Sequence, residues 1–267
     1  MKKSPTASVA IRWSEVVCAA LVIIGLAVPA AAAPEPDATD WSRLARPLAG
    51  WTIAIDPGHN GGNAADPASQ QLVSDGRGSV KPCNAVGTTT DSGFPEHAFT
   101  LAVAEQLRQE LRILGARVIL TRDDDDGVGP CVDVRGRFAE DVDADLMVSL
   151  HANGTPDPEA AGYFAIVSDP AISPSQGEPS VELATALLDA LAEQGFQPSN
   201  QVDGALAYRD DLATLNFARR PAVLLELGEM HNPGEAALME TAAGQQQYAD
   251  ALADGVLAWA SDRRPES

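Results

Sequence analysis

Four side chains have the types and placement needed to activate water: His59, Glu96, His151 and Glu226. His59 follows the apolar stretch 51–55 and the turn-forming Asp56-Pro57-Gly58. His151 ends the apolar run 146–150, and Glu226 ends the run 223–225. Glu96 opens the periodic segment 96–114. Two imidazoles and one carboxylate are a zinc ligand set that leaves a coordination position for water. A further carboxylate must then take the water's proton, and Glu226 is the candidate. Taken singly, a histidine after a strand is more often a hydrogen-bonding surface residue, and an acid at a helix start complements the dipole. His97 adjoins Glu96 and competes with it as ligand. His231, five residues past Glu226, faces substrate or backs the site. Glu226 is harder to dismiss, because a carboxylate against a buried strand is costly unless paired or bound to metal.

The segments that must position these groups read as follows. Pro57 lacks a donor N–H and Gly58 accepts positive φ, so the chain is expected to leave its strand there and set His59 on the strand's carboxyl edge. In 96–114, Phe99, Val103, Leu107, Leu111 and Leu114 form one apolar stripe. Pro95 suits its first turn and Gly115 its end. Strands are expected at 117–121, 162–167 and 223–225, and helices at 132–144, 181–194 and within 234–261. Residues 60–93 are rich in Gly, Asn, Asp, Ser and Thr and lack periodicity, which points to a functional or stapled loop. The acidic run Asp123–Asp126 reads as solvated loop; a calcium site there would lack the glycine spacing of an EF-hand. Strands alternating with helices specify a single α/β domain with a twisted, mostly parallel sheet flanked by helices. In such a sheet the carboxyl ends of the strands share one face, which would gather His59, His151 and Glu226.

A length of 267 residues fits one domain. Lys2, Lys3 and Arg12, the apolar run 16–28 and the alanines at 30–33 form the pattern of a secretory signal peptide over 1–33. The apolar run is short for a membrane span, an uncleaved anchor being the alternative. Cys18 follows Val16-Val17 and no lipobox. Residues 34–50 read as linker and lead-in, and 51–262 as the catalytic domain. The expected location is periplasm, cell wall or medium, with no membrane span after processing. The formal charge of −20 argues against nucleic acid and anionic lipid as partners. Beyond the leader remain Cys83 and Cys131, an even pair in an exported chain, so a disulfide is expected. Zinc ligation by this pair is the weaker reading, since neither lies in a Cys-x-x-Cys.

Four stretches carry a resemblance. They are Ile55-Asp56-Pro57-Gly58-His59-Asn60-Gly61, Thr121-Arg122-Asp123, Val148-Ser149-Leu150-His151-Ala152-Asn153 and Pro221-Ala222-Val223-Leu224-Leu225-Glu226-Leu227-Gly228, with Asn232 beyond. In this order they resemble the zinc-dependent N-acetylmuramoyl-L-alanine amidases of amidase type 3. The resemblance implies a phosphorylase/hydrolase-like α/β fold, zinc on His59, Glu96 and His151, and Glu226 as catalytic carboxylate. It implies cleavage of the amide between the lactyl group of muramic acid and L-alanine in peptidoglycan, with muropeptides as substrates and a monomeric enzyme. The loop 60–93 and the cysteine pair look like those of small stand-alone mycobacterial and actinobacterial members. One departure is Glu229, where such proteins usually carry an aromatic; it is expected to alter the rim beside the base. No wall-binding repeat or plugging helix is evident, so soluble or exposed fragments and weak regulation in cis are expected. Two other functions fit the pattern less well: a non-catalytic wall-binding or regulatory protein, and a zinc peptidase cutting within the stem peptide.

Overall fold

A computed structural model describes residues 46–263. The expected leader and residues 34–45 of the expected linker and lead-in lie outside the described residues. The strands among the described residues are β1 (Thr52–Pro57), β2 (Leu72–Ser74), β3 (Val80–Pro82), β4 (Arg117–Leu120), β5 (Leu146–Asn153), β6 (Phe164–Ser168), β7 (Leu206–Arg209) and β8 (Ala222–Glu229). The α-helices are α1 (Glu96–Ile113), α2 (Val132–Asp141), α3 (Gly177–Glu193), α4 (Ala213–Asn216), α5 (Pro233–Met239) and α6 (Ala242–Ser261).

Six strands form the central sheet in the order β4-β1-β5-β8-β6-β7. The first four are mutually parallel; β6 pairs antiparallel to β8 and parallel to β7. The sheet is therefore mostly parallel, as expected, with its last two strands reversed. Its inner strands are buried on both faces, which is why β1 and β5 read as near-continuous apolar runs. Helices α1 and α3 both pack on α6, while α2 packs on α4. Phe99, Val103, Leu107 and Leu111 of α1 are fully buried, so its stripe faces the core. Leu114, expected in that helix, is its C-cap, and Pro95 sits at the N-cap. The expected terminal helix is two: α5, capped by Asn232, and α6, capped by Thr241. Among the described residues no helix is long and apolar enough to cross a membrane.

Three local readings change. The strand β1 does not stop at Asp56; it stays paired through Pro57, opposite Leu150. Strands β5 and β8 likewise run on past His151 and Glu226, to Asn153 and Glu229. Residues 60–93 hold a 3-10 turn at Pro67–Gln70 and the β2/β3 hairpin, both too short to leave a periodic trace.

Candidate metal centre and its cleft

The loop after β1 is held from beneath by two buried guanidinium groups. Asp56, fully buried, accepts from Arg135 Nη1 at 2.7 Å, Thr121 Oγ1 at 2.6 Å and Ser149 Oγ at 2.7 Å. Burial alone would push its carboxyl up; Arg135 and the two hydroxyls outweigh that and hold it below the usual range. Arg135, on α2, also donates to the carbonyls of Pro57 (2.7 Å) and His59 (3.0 Å). Arg122 donates to Pro57 O at 3.0 Å and Gly58 O at 3.1 Å. Three successive carbonyls thus end on two side chains that the sequence presents as ordinary cations.

His59 itself takes the left-handed conformation, with φ of 60°. The turn was expected to place that strain on Gly58. Glycine at 58 answers a different need: a Cβ there would stand 2.3 Å from Cε1 of His151. Asp56 acts on the His59 loop through Arg135 rather than by touching the ring.

His59, Glu96 and His151 converge. His59 Nε2, Glu96 Oε1 and His151 Nδ1 form a triangle with all three edges 3.1 Å. Four tetrahedral ligands at about 2.0–2.1 Å from zinc would stand about 3.3 Å apart. The donor chemistry fits a cation too. His59 Nδ1 donates to Ala85 O at 2.9 Å, so the neutral ring turns the lone pair of Nε2 inward. Two nitrogen lone pairs and a carboxylate aimed at one point are satisfied by a positive centre. Glu96 is held by Ala152 N (3.1 Å to Oε1) and Thr88 N (2.9 Å to Oε2). Burial raises its carboxyl, but when the inward nitrogens of His151 and His59 carry protons instead, their hydrogen bonds and charges lower it far below the usual range. For His59, burial works against protonation, and the bond to Glu96 reverses it, leaving the ring more basic than usual.

The same cleft, of about 600 Å³, has Glu226 on its wall, with Ile166 and Leu224 beside it. Glu226 is half-buried, and its Oε2 is buried with no hydrogen-bond partner. Burial, then the charges of Glu96 and Glu229, push its carboxyl well above the usual value. In the ladder Glu226 lies opposite His151, and the register then slips by one residue so that Glu229 lies opposite Asn153. Such a slip re-aims side chains beside a site. It puts Glu229 on the same side of the strand as Glu226.

Of the alternatives, His97 points elsewhere: its Nδ1 meets Asp125 Oδ2 at 2.5 Å. The acidic run 123–126 is partly consumed in that pair and in the 3.0 Å bond from Arg122 to Asp125. His231 pairs with Asp91 at 2.9 Å and does not line the cleft. Glu229 is not a rim residue. It is 1 % exposed and accepts from Asn153 Nδ2 and Thr155 N. Cys83 and Cys131 form the expected disulfide. It anchors the end of the loop two residues before Ala85, the carbonyl that orients His59. Arg135, Arg122, Lys81 and Arg209 were missed as parts of the site. Only Thr121-Arg122-Asp123, already singled out as a motif, offered a signal.

An α/β sheet whose carboxyl edge carries a His–Glu–His cluster beside an unpaired carboxylate defines a class, that of metal-assisted hydrolases. The comparisons with known proteins narrow it. The family model for N-acetylmuramoyl-L-alanine amidase, Amidase_3, matches residues 53–258, and the chain belongs to this family. It is 43% identical to N-acetylmuramoyl-L-alanine amidase Rv3717 of Mycobacterium tuberculosis (strain ATCC 25618 / H37Rv) over 237 residues, 88% of this chain and 95% of that protein. The crystal structure of the N-acetylmuramyl-L-alanine amidase Ami1 from Mycobacterium smegmatis superposes with a TM-score of 0.78 at 40% identity, covering 81% of this chain and 99% of that one. The apo form of Ami1 from Mycobacterium abscessus gives 0.76 at 40% identity, covering 79% and 99%.

Proposed function

We propose that this chain hydrolyses the amide between the lactyl group of N-acetylmuramic acid and L-alanine in peptidoglycan. Its work would lie outside the cytoplasmic membrane, as a monomer acting on muropeptides. One observation carries the reading: three inward-facing ligand atoms 3.1 Å apart share a cleft with a carboxylate that has nothing to bond. Membership of the amidase family supports the substrate.

His59, Glu96 and His151 would hold zinc. Bound there, zinc supplies Lewis acidity, polarising a carbonyl and making water easier to deprotonate. The protein does the rest. Ala85 and the left-handed backbone fix the ring of His59, and Gly58 lets the ring of His151 lie against the loop. Glu226 takes a proton from the attacking water on its free oxygen. It then returns that proton to the alanine nitrogen as the carbon–nitrogen bond breaks, so the products are a lactyl carboxylate and a free amine. A carboxyl with a raised pKa holds the transferred proton well, and its apolar wall keeps bulk water from competing for it.

The deciding experiment is a digest of purified muropeptides read by mass spectrometry, with and without a chelator. Sugar bearing a free lactyl carboxylate, lost on chelation, is the expected product. Cuts within the stem peptide would instead make the chain a zinc peptidase. A protein that holds no zinc and cuts nothing would be a wall-binding relative.

A further inference from the structure

The chain has 38 acidic residues against 18 lysines and arginines, yet its cleft is balanced. Three cations line it, Lys81, Arg135 and Arg209, against Asp56, Glu96 and Glu226. Asp56 and Arg135 neutralise each other in their buried pair, and Glu96 belongs to the ligand cluster. What remains is Lys81 and Arg209, on the side of Glu226, and they are held ready. Arg209, at the end of β7, sets Nε on Asp211 Oδ1 at 2.8 Å and Nη2 on Oδ2 at 2.6 Å. Its Nη1 makes no hydrogen bond among the described residues. Lys81, on β3, gives one proton of Nζ to the carbonyl of the same Asp211. The Asp211 carboxylate is taken by Arg209 and Lys81 bonds only the neutral carbonyl, so among the described residues the charge of Lys81 has no bonded counter-charge at this end of the cleft. A fork fixed on one edge is preorganised to receive an anion on another.

We propose that Lys81 and Arg209 form a subsite for a free carboxylate of the leaving peptide, at its second residue. The inference rests on the amidase reading. The alanine's own carboxyl is tied up in the next peptide bond, so the nearest free carboxylate beyond the scissile nitrogen is on residue two. Arg209 and Glu226 line the same cleft. Arg209 pairs with Ser168 while Glu226 pairs with Phe164, four residues back along β6. This sets the cation further along the cleft from the group that protonates that nitrogen, where a residue beyond the alanine can reach it. The enzyme therefore discriminates a second-residue carboxylate from its carboxamide.

Two readouts test this. By calorimetry on the purified full chain, L-alanyl-D-isoglutamate should bind about tenfold tighter than L-alanyl-D-isoglutamine, the difference of a charge-assisted contact. The preference should shrink as salt rises. In turnover, muramoyl peptides ending in the same pair should differ about tenfold in kcat/KM, chiefly through KM. Arg209→Gln should bring both ratios near one, and Arg209→Lys should keep part of each. Lys81→Gln, on a different element, should reduce them independently. Equal affinities and equal kcat/KM in the unaltered enzyme would overturn the subsite and leave the amidase reading standing. So would a preference that survives both Arg209→Gln and Lys81→Gln. If neither muramoyl peptide is cut, the amidase reading has failed, and the peptide-binding arm still decides whether the cations choose a carboxylate.

Discussion

The two sides of the cleft hold their functional groups in opposite ways. On the β1 side, the groups beneath His59 are densely bonded: Asp56 takes three donors, and Arg135 and Arg122 end on three consecutive carbonyls. On the β8 side, Glu226 stands against Ile166 and Leu224 with one oxygen unbonded. The first arrangement fixes direction, which a ligand needs. The second leaves proton affinity adjustable, which a carrier of protons needs. A hydrogen bond donated to Oε2 would favour the ionised form and make return of the proton harder.

Breaking the first side at its tip should have the largest effect. His59→Ala or His151→Ala should remove bound zinc and take activity to background, checked by metal analysis of the purified variant. Stoichiometric zinc in His59→Ala would dissolve the contrast, because the fixed side would then not be the ligand side. Glu226→Gln should lower kcat by about 10²–10⁴-fold while zinc stays bound. Equal loss of zinc in that variant would mean the two sides act as one.

The next test reaches beneath the ligands. Asp56→Asn leaves Arg135 buried without its counter-charge, a loss of about 3–5 kcal/mol in unfolding free energy. The sign with pH follows from the lowered carboxyl of Asp56. Its contribution is complete above the unfolded value of about 3.9. It fades only as pH falls through the still lower folded value. Urea melts should therefore show the full deficit of Asp56→Asn at pH 7, and a smaller one only below about pH 4. The smallest effect is expected at the carbonyl that orients His59. Asn63 Nδ2 donates to Ala85 O at 2.8 Å beside the imidazole. Asn63→Ala should weaken zinc about tenfold, read by competition with a chelating dye, and change little at saturating zinc.

The ligand side was the more legible of the two, and for a physical reason. His59 and His151 stand at the ends of apolar runs, and Glu96 opens an amphipathic helix, so local patterning alone places them. Glu226 was also legible as a costly carboxylate on a buried strand, although that strand continues past it. The unread parts depend on partners far away in the chain. Arg135 sits on α2 like any helical cation, and only the fold brings it 2.7 Å from Asp56. β7 has four residues and no fully buried position, so it declares itself only once β6 is there to pair with it. The burial of Glu229 depends on the slipped register beside His151, which no periodicity encodes. Glu96 and His97 are neighbours of similar chemistry, and choosing between them needed the direction in which each side chain leaves the helix.

Gly58 and the ring of His151 compete for one small volume: a methyl at 58 would lie 2.3 Å from a ring carbon. The two positions are therefore sterically coupled. A descendant that loses its imidazole at 151 is released to accept alanine at 58, and one that has accepted alanine cannot easily regain the ring. Retired copies of such an enzyme would carry that exchange as a scar. Inspection of two letters would then separate a working hydrolase from a relative that only kept its shape.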